Sequence, residues 1–205
     1  KTDDYWISLC KQTWKPGDGA QKTHYSQQGQ NKVRGAHSET IAIDLFLDYC
    51  HGLSDEKPDI MLEVKDKNRS AVKCQLCLGT SNQRLLETEW GRYKYSVLER
   101  SPADYQAIRE MLKDKAANHS QLFYETVEGA MQLPEHKGRA LNALEHVCGY
   151  FSDIATPAET KQYVSRWRPT FGEGKETSLP PLTEVPAGLP ARLILLYGLT
   201  RILMI

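Results

Sequence analysis

The chain carries no excess of charge of either sign: lysine plus arginine equals aspartate plus glutamate, at 26 each. Net charge therefore gives no reason to expect nucleic-acid binding over the whole surface, and any basic patch must be local. Cysteine is too sparse for a disulfide framework. There are five, an odd number without regular spacing, which suits a reducing compartment and a cytoplasmic location. No basic n-region followed by an apolar core opens the chain, so no secretory leader is visible. There is no internal repeat and no convincing Ser-His-Asp or Cys-His arrangement for covalent catalysis. The apolar tail, Ala191 to Ile205, is shorter than the about 20 residues a membrane span needs and carries Arg192 and Arg201. No membrane association is expected. Position 1 is Lys1 rather than methionine, so either the start is processed or the chain is a fragment.

What the chain does have is a concentration of ligand-type side chains between Gln21 and Glu63. Its 205 residues, 40% apolar, are enough for one large or two small soluble domains. Ala20 to Ser26 follows the turn signal Pro16-Gly17-Asp18-Gly19 and reads as a strand. Alternation puts Lys22, His24 and Ser26 on one face and Thr23 and Tyr25 on the other. Asp59 to Lys67 reads as a second strand, with Ile60, Leu62 and Val64 on an apolar face and Met61, Glu63 and Lys65 opposite. That division suits a barrel strand, apolar side toward helices and polar side toward the barrel mouth.

Helical periodicity fills the intervals. Thr2 to Trp14 opens on a capping Thr2-Asp3-Asp4 and sets Trp6, Leu9, Cys10 and Trp14 near one face. A helix from Glu39 to Cys50 is expected to be capped by Ser38, with Ile41, Leu45, Phe46 and Tyr49 inward. His37 would then lie just before a helix start, in the loop after a strand. Another helix runs from Ser70 to Leu78. Strand, helix, strand, helix implies a parallel sheet, whose active residues gather at the carboxyl ends of its strands. Beyond Gly79 only helices are expected: Arg84 to Glu99, Pro102 to about Lys115 behind a Ser101 cap, Leu122 to Met131, Gly138 to Phe151, and Thr156 to Trp167. The segment Pro169 to Pro190 reads as a linker. Three parts result: 1–80 with two βα units, 81–168 all-α, and 169–205 linker and apolar tail.

Two imidazoles, a carboxylate and a lysine, Lys22, His24, His37 and Glu63, are the equipment of an open metal site. A single histidine such as His24 is more often a core or surface residue, and the weight comes from the four together. Lys65, Lys67 and Arg69 are phosphate contacts or simply a solvated helix start. Cys74-Gln75-Leu76-Cys77 has the C-x-x-C spacing but no second pair, so packing cysteines are expected. His51, His119, His136 and His146 have no partners in the pattern and read as structural.

The motifs Q-K-T-H-Y-S, R-G-A-H-S and P-D-I-M-L-E-V-K-D-K, in that order and spacing, resemble the carboxyl-terminal barrel segments of the UV damage endonucleases. The resemblance covers about Lys1 to Cys77. The stretches R-Y-K-Y-S-V-L-E-R-S-P-A-D-Y and E-H-V-C-G-Y-F resemble the helical extension of bacterial members, and more loosely a helical domain of unknown function. The resemblance implies an α/β fold, the C-terminal fragment of a TIM barrel followed by an all-α extension. It implies a monomeric DNA repair enzyme that nicks the backbone 5′ of ultraviolet photoproducts in double-stranded DNA with clustered divalent metal ions, manganese being typical and zinc or magnesium alternatives. Lys22, His24, His37 and Glu63 would be the catalytic metal ligands, Lys22 as a carboxylated lysine. Lys65, Lys67, Tyr25 and Ser26 would contact DNA. A whole TIM barrel takes about 250 residues, so the remaining ligands would lie before Lys1 and the isolated chain is expected to be inactive. Two rival readings stand beside this one: a xylose isomerase-like sugar isomerase or epimerase, and a non-catalytic helical interaction module.

Overall fold

The structure is a computed structural model that describes residues 1–53, 58–79, 82–134, 136–150 and 155–158. Most of the helix expected from Thr156 to Trp167, the Pro169–Pro190 linker and the apolar tail lie outside the described residues, as do 54–57 of the loop before the second strand and the side chains of Leu144 and Cys148. The chain divides into two compact units, Lys1–Asn82 and Gln83–Ile205.

The first unit opens with α1 (Asp3–Lys11), where Thr2 accepts a hydrogen bond from the Tyr5 amide and Asp3 and Asp4 complement the helix dipole. Its apolar side chains face outward: Trp6 is 50% exposed, and no residue of α1 is buried. A 3₁₀ turn, Pro16–Asp18, precedes β1 (Lys22–Ser26). After α2 (Ile43–His51) comes β2 (Asp59–Glu63), then α3 (Asn68–Leu78). β1 and β2 pair in parallel, with Lys22 opposite Asp59, His24 opposite Met61 and Ser26 opposite Glu63.

The alternation expected for these strands sorts their faces. Tyr25, Ile60 and Leu62 pack against a core of Ile41, Ile43, Phe46, Leu47, Cys50, Val64 and Cys74. Burying side chains of this size contributes about 1.5–3 kcal/mol each, which fixes which face of the sheet is left for water. Lys22, His24, Ser26 and Met61 share that open face with Glu63.

The Glu39–Cys50 helix needs correction. The helix begins at Ile43, capped by Ala42 without a side-chain hydrogen bond. Ser38 is no helix cap because its backbone is already engaged across the strands. Its amide donates to the Gln27 carbonyl (2.8 Å), its carbonyl accepts from the Lys65 amide (3.1 Å), and the Glu39 carbonyl accepts from the Asp66 amide (3.0 Å). The segment is thus wedged between the chain leaving β1 and the chain leaving β2. The buried face also differs from the expected one: Ile43, Phe46, Leu47 and Cys50 are buried, while Leu45 is 55% exposed.

Among its described residues the second unit's elements are all helices: α4 (Gln83–Arg100), α5 (Pro102–Met111), α6 (Ser120–Gln132) and α7 (Lys137–Gly149). The Ser101 hydroxyl accepts from the Asp104 amide, as a cap before Pro102 should. α4 packs on each of the other three. Ile108, Phe123, Tyr124 and Val127 are buried, and a second cluster joins Tyr95 and Leu98 to Ala143 and Val147.

Among the described residues, the strands are these two, and no helix is long and apolar enough to cross a membrane.

Candidate metal centre

The open face of the two-stranded sheet collects the titratable side chains at its carboxyl end. His24 projects from the middle of β1 and Glu63 from the last position of β2. Nδ1 of His24 lies 2.6 Å from Oε1 of Glu63. His37 arrives from a different direction. A bridge between Gln28 and His37, with the Gly29 amide donating to the Ala36 carbonyl at 2.8 Å, folds the 28–37 loop back on itself. Gly35, at φ +85°, takes the left-handed turn that closes this loop. Nε2 of His37 ends 3.6 Å from the other Glu63 oxygen, Oε2. One carboxylate therefore stands between two imidazoles, all three partly exposed.

The hydrogen bond from His24, with the nearby His24 and His37 rings, holds the Glu63 carboxyl below the ordinary carboxylate range. An ionised Glu63 can only accept, so the proton between them belongs to Nδ1 of His24; in a neutral imidazole with that tautomer Nε2 is the nitrogen that can bind a cation. Among the described residues no three His, Cys, Asp or Glu side chains stand as a ready-made metal cage. The donor set still fits a divalent transition metal: two imidazoles and a carboxylate are what such ions take in open sites. The His24–Glu63 link matches the carboxylate support that orients a ligating histidine.

The other expected site residues are placed as follows. Lys22 shares the face of His24, but its amine donates to the Ala20 carbonyl (3.2 Å) and lies 4.0 Å from Asp59. Ser26 is exposed on the same face, and Lys65 and Lys67 are exposed just beyond β2. Arg69 is half-buried. Tyr25 is not part of this constellation. It lies on the opposite face, its ring 5.2 Å from Phe46 and 4.8 Å from Tyr49, and its hydroxyl accepts from Gln27. Its side chain is thus committed to the core. His37 is six positions before α2 rather than at its start. Cys74 is 3% exposed, and burial pushes its thiol up to about 12, which makes it inert packing rather than a ligand.

A family model described as a protein of unknown function (DUF1722) matches residues 94–183. The chain is 39% identical over 112 residues to the UV DNA damage endonuclease of Clostridium perfringens (strain 13 / Type A), a match covering 52% of this chain and 27% of that protein. It is 40% identical over 62 residues to the "Putative UV-damage endonuclease" of Acanthamoeba polyphaga mimivirus, covering 30% of this chain and 19% of that protein. The chain thus spans about a quarter or less of the length of these relatives. No solved structure matches it. Both relatives are named as UV-damage endonucleases, the family that the strand motifs of this chain resemble.

Proposed function

We propose that the first unit is part of the active site of a metal-dependent DNA endonuclease that nicks the backbone 5′ of ultraviolet photoproducts, its two βα units belonging to a TIM barrel. The observation that carries this reading is Glu63 set between His24 and His37 at the carboxyl end of parallel strands. It falls in a chain whose relatives are named for that activity.

In this reading His24, His37 and Glu63 would hold a cluster of divalent cations between them, manganese foremost. Such an ion supplies Lewis acidity toward a phosphodiester and stabilises the charge that develops on its oxygens. The chain's own groups do the rest. Glu63 fixes the tautomer and orientation of His24. Lys22, on the same face, is the residue whose Nζ would take up carbon dioxide, forming an N–C bond and losing a proton, to give an anionic carbamate ligand. Lys65 and Lys67 meet the DNA phosphates as point charges beside the site. Photoproducts weaken stacking and pairing, so extruding damaged bases costs less than extruding normal ones, which supplies the selectivity.

The test uses a full-length protein that contains this chain, with irradiated and unirradiated plasmid and added manganese. Nicking should require irradiation and fall by roughly 100-fold or more in His24→Ala and Glu63→Gln. Nicking that ignores irradiation, or that survives Glu63→Gln, rules the reading out. The isolated chain should not nick.

A further inference from the structure

We propose that Lys73 and Ser70, on α3, are positioning residues that hold the His37-bearing segment against Glu63; this rests on the metal-site reading above. Lys73 is 3% exposed and Ser70 0% exposed. A lysine amine is unfavourable inside a protein unless hydrogen bonds replace its water. Here two of those bonds go to one place: the amine donates to Thr40 Oγ1 at 2.8 Å and to the Ile41 carbonyl. Ser70, three residues earlier on the same face of α3, accepts from the Ile41 amide at 3.0 Å and lies 3.3 Å from Thr40 Oγ1. Thr40 and Ile41 follow His37 by three and four positions.

The same segment is gripped from its other side. The Gln27 side chain accepts from the Ala42 amide at 2.7 Å and donates to the Ala42 carbonyl at 3.0 Å. Ser38 and Glu39 are bonded through their backbones to Gln27, Lys65 and Asp66. His37 therefore owes its place to a clamp built from α3 and the strand ends. His24 owes its place to the register of β1 on β2. The two histidines of the site are held by separate devices, so they should respond differently when one device is removed.

The experiment reads the ring nitrogen resonances of His24 and His37 in the metal-free chain. Each should shift when Glu63→Gln is introduced. In a Lys73→Met background the His37 response should shrink by at least about twofold while the His24 response persists, a double-mutant comparison that global loosening does not reproduce. Ser70→Ala and Thr40→Val serve as milder variants with the same readout if Lys73→Met does not fold. Manganese affinity, followed by electron paramagnetic resonance, should fall roughly 10–100-fold in the same variants. An unchanged His37 response, or loss of both responses together, overturns the clamp. Absence of manganese binding in the unaltered chain and the full-length protein, with His37 still selectively uncoupled, would sink the metal reading and leave the clamp standing.

Discussion

Nδ1 of His24 and Oε1 of Glu63 meet at 2.6 Å although the residues are 39 positions apart. Parallel register brings this about. Ser26 is opposite Glu63 and His24 opposite Met61, so His24 and Glu63 are diagonal neighbours on one face, within reach of two long side chains.

The pH dependence follows from that contact. The Glu63 carboxyl is held below its ordinary value of 4.5, first by the His24 hydrogen bond. A carboxyl depressed on folding contributes stability that is present above its unfolded-state value and is lost as pH falls through the folded value. Urea midpoints taken from about pH 6 to about pH 3 should therefore drop more steeply for the unaltered chain than for Glu63→Gln. Parallel curves would show that the contact contributes nothing in solution.

Lys67 is held at φ +52° and ψ −115°, a conformation that suits glycine and strains a side chain. The strain sits where the chain leaves the site and enters α3, at a lysine proposed to meet phosphate. Lys67→Gly should raise stability by about 1 kcal/mol and at the same time weaken DNA binding, with the salt slope reduced by about 1. Chemical denaturation and salt-dependent binding by the full-length protein check the two halves. A substitution that lowers stability would show that the backbone is not strained.

Gly29 marks a close approach. A Cβ there would come 3.0 Å from the His37 carbonyl oxygen and 2.9 Å from Lys32 Cδ. The lysine stem can swing away, but the His37 backbone must move. Gly29→Ala should cost about 1 kcal/mol and shift the His37 ring resonances. Gly17→Ala, with nothing within 4 Å, is the control and should do neither.

The sheet and its faces were legible because strand alternation is a local signal: Tyr25 between His24 and Ser26 says which side is wet. Helix capping at Ser101 was legible for the same reason. The start of α2 was not. Ser38 carries a good capping side chain, but its backbone is bonded to Gln27 and to Lys65, and contacts over such separations leave no mark in a local pattern. Leu45 falls outside the buried face for a separate reason: the core takes the Ile43, Phe46, Leu47 and Cys50 stripe of the helix rather than the one through Leu45. The clamp residues were missed outright. Lys73 in a helical reading looks like any solvated lysine, and Gln27 like any loop residue. On α1 the apolar stripe is legible in Trp6 and Leu9, but among the described residues it stays exposed, and periodicity does not say what covers a face.

In the helical unit Glu89 is 1% exposed. Tyr124 donates to its Oε2 at 3.1 Å, and Arg92 lies 3.0 Å from Oε1, an attraction of charges without an aligned hydrogen bond. Removing Arg92 strands a buried carboxylate, whereas removing both charges does not. Arg92→Met should therefore cost about 2 kcal/mol, less than a fully buried pair because a third of the arginine is in water, and Tyr124→Phe about 1 kcal/mol. The double substitution Glu89→Leu with Arg92→Met should recover most of the first loss. Denaturant unfolding of the three variants decides the matter: if the double substitution is the least stable, Glu89 is held by more than these two partners.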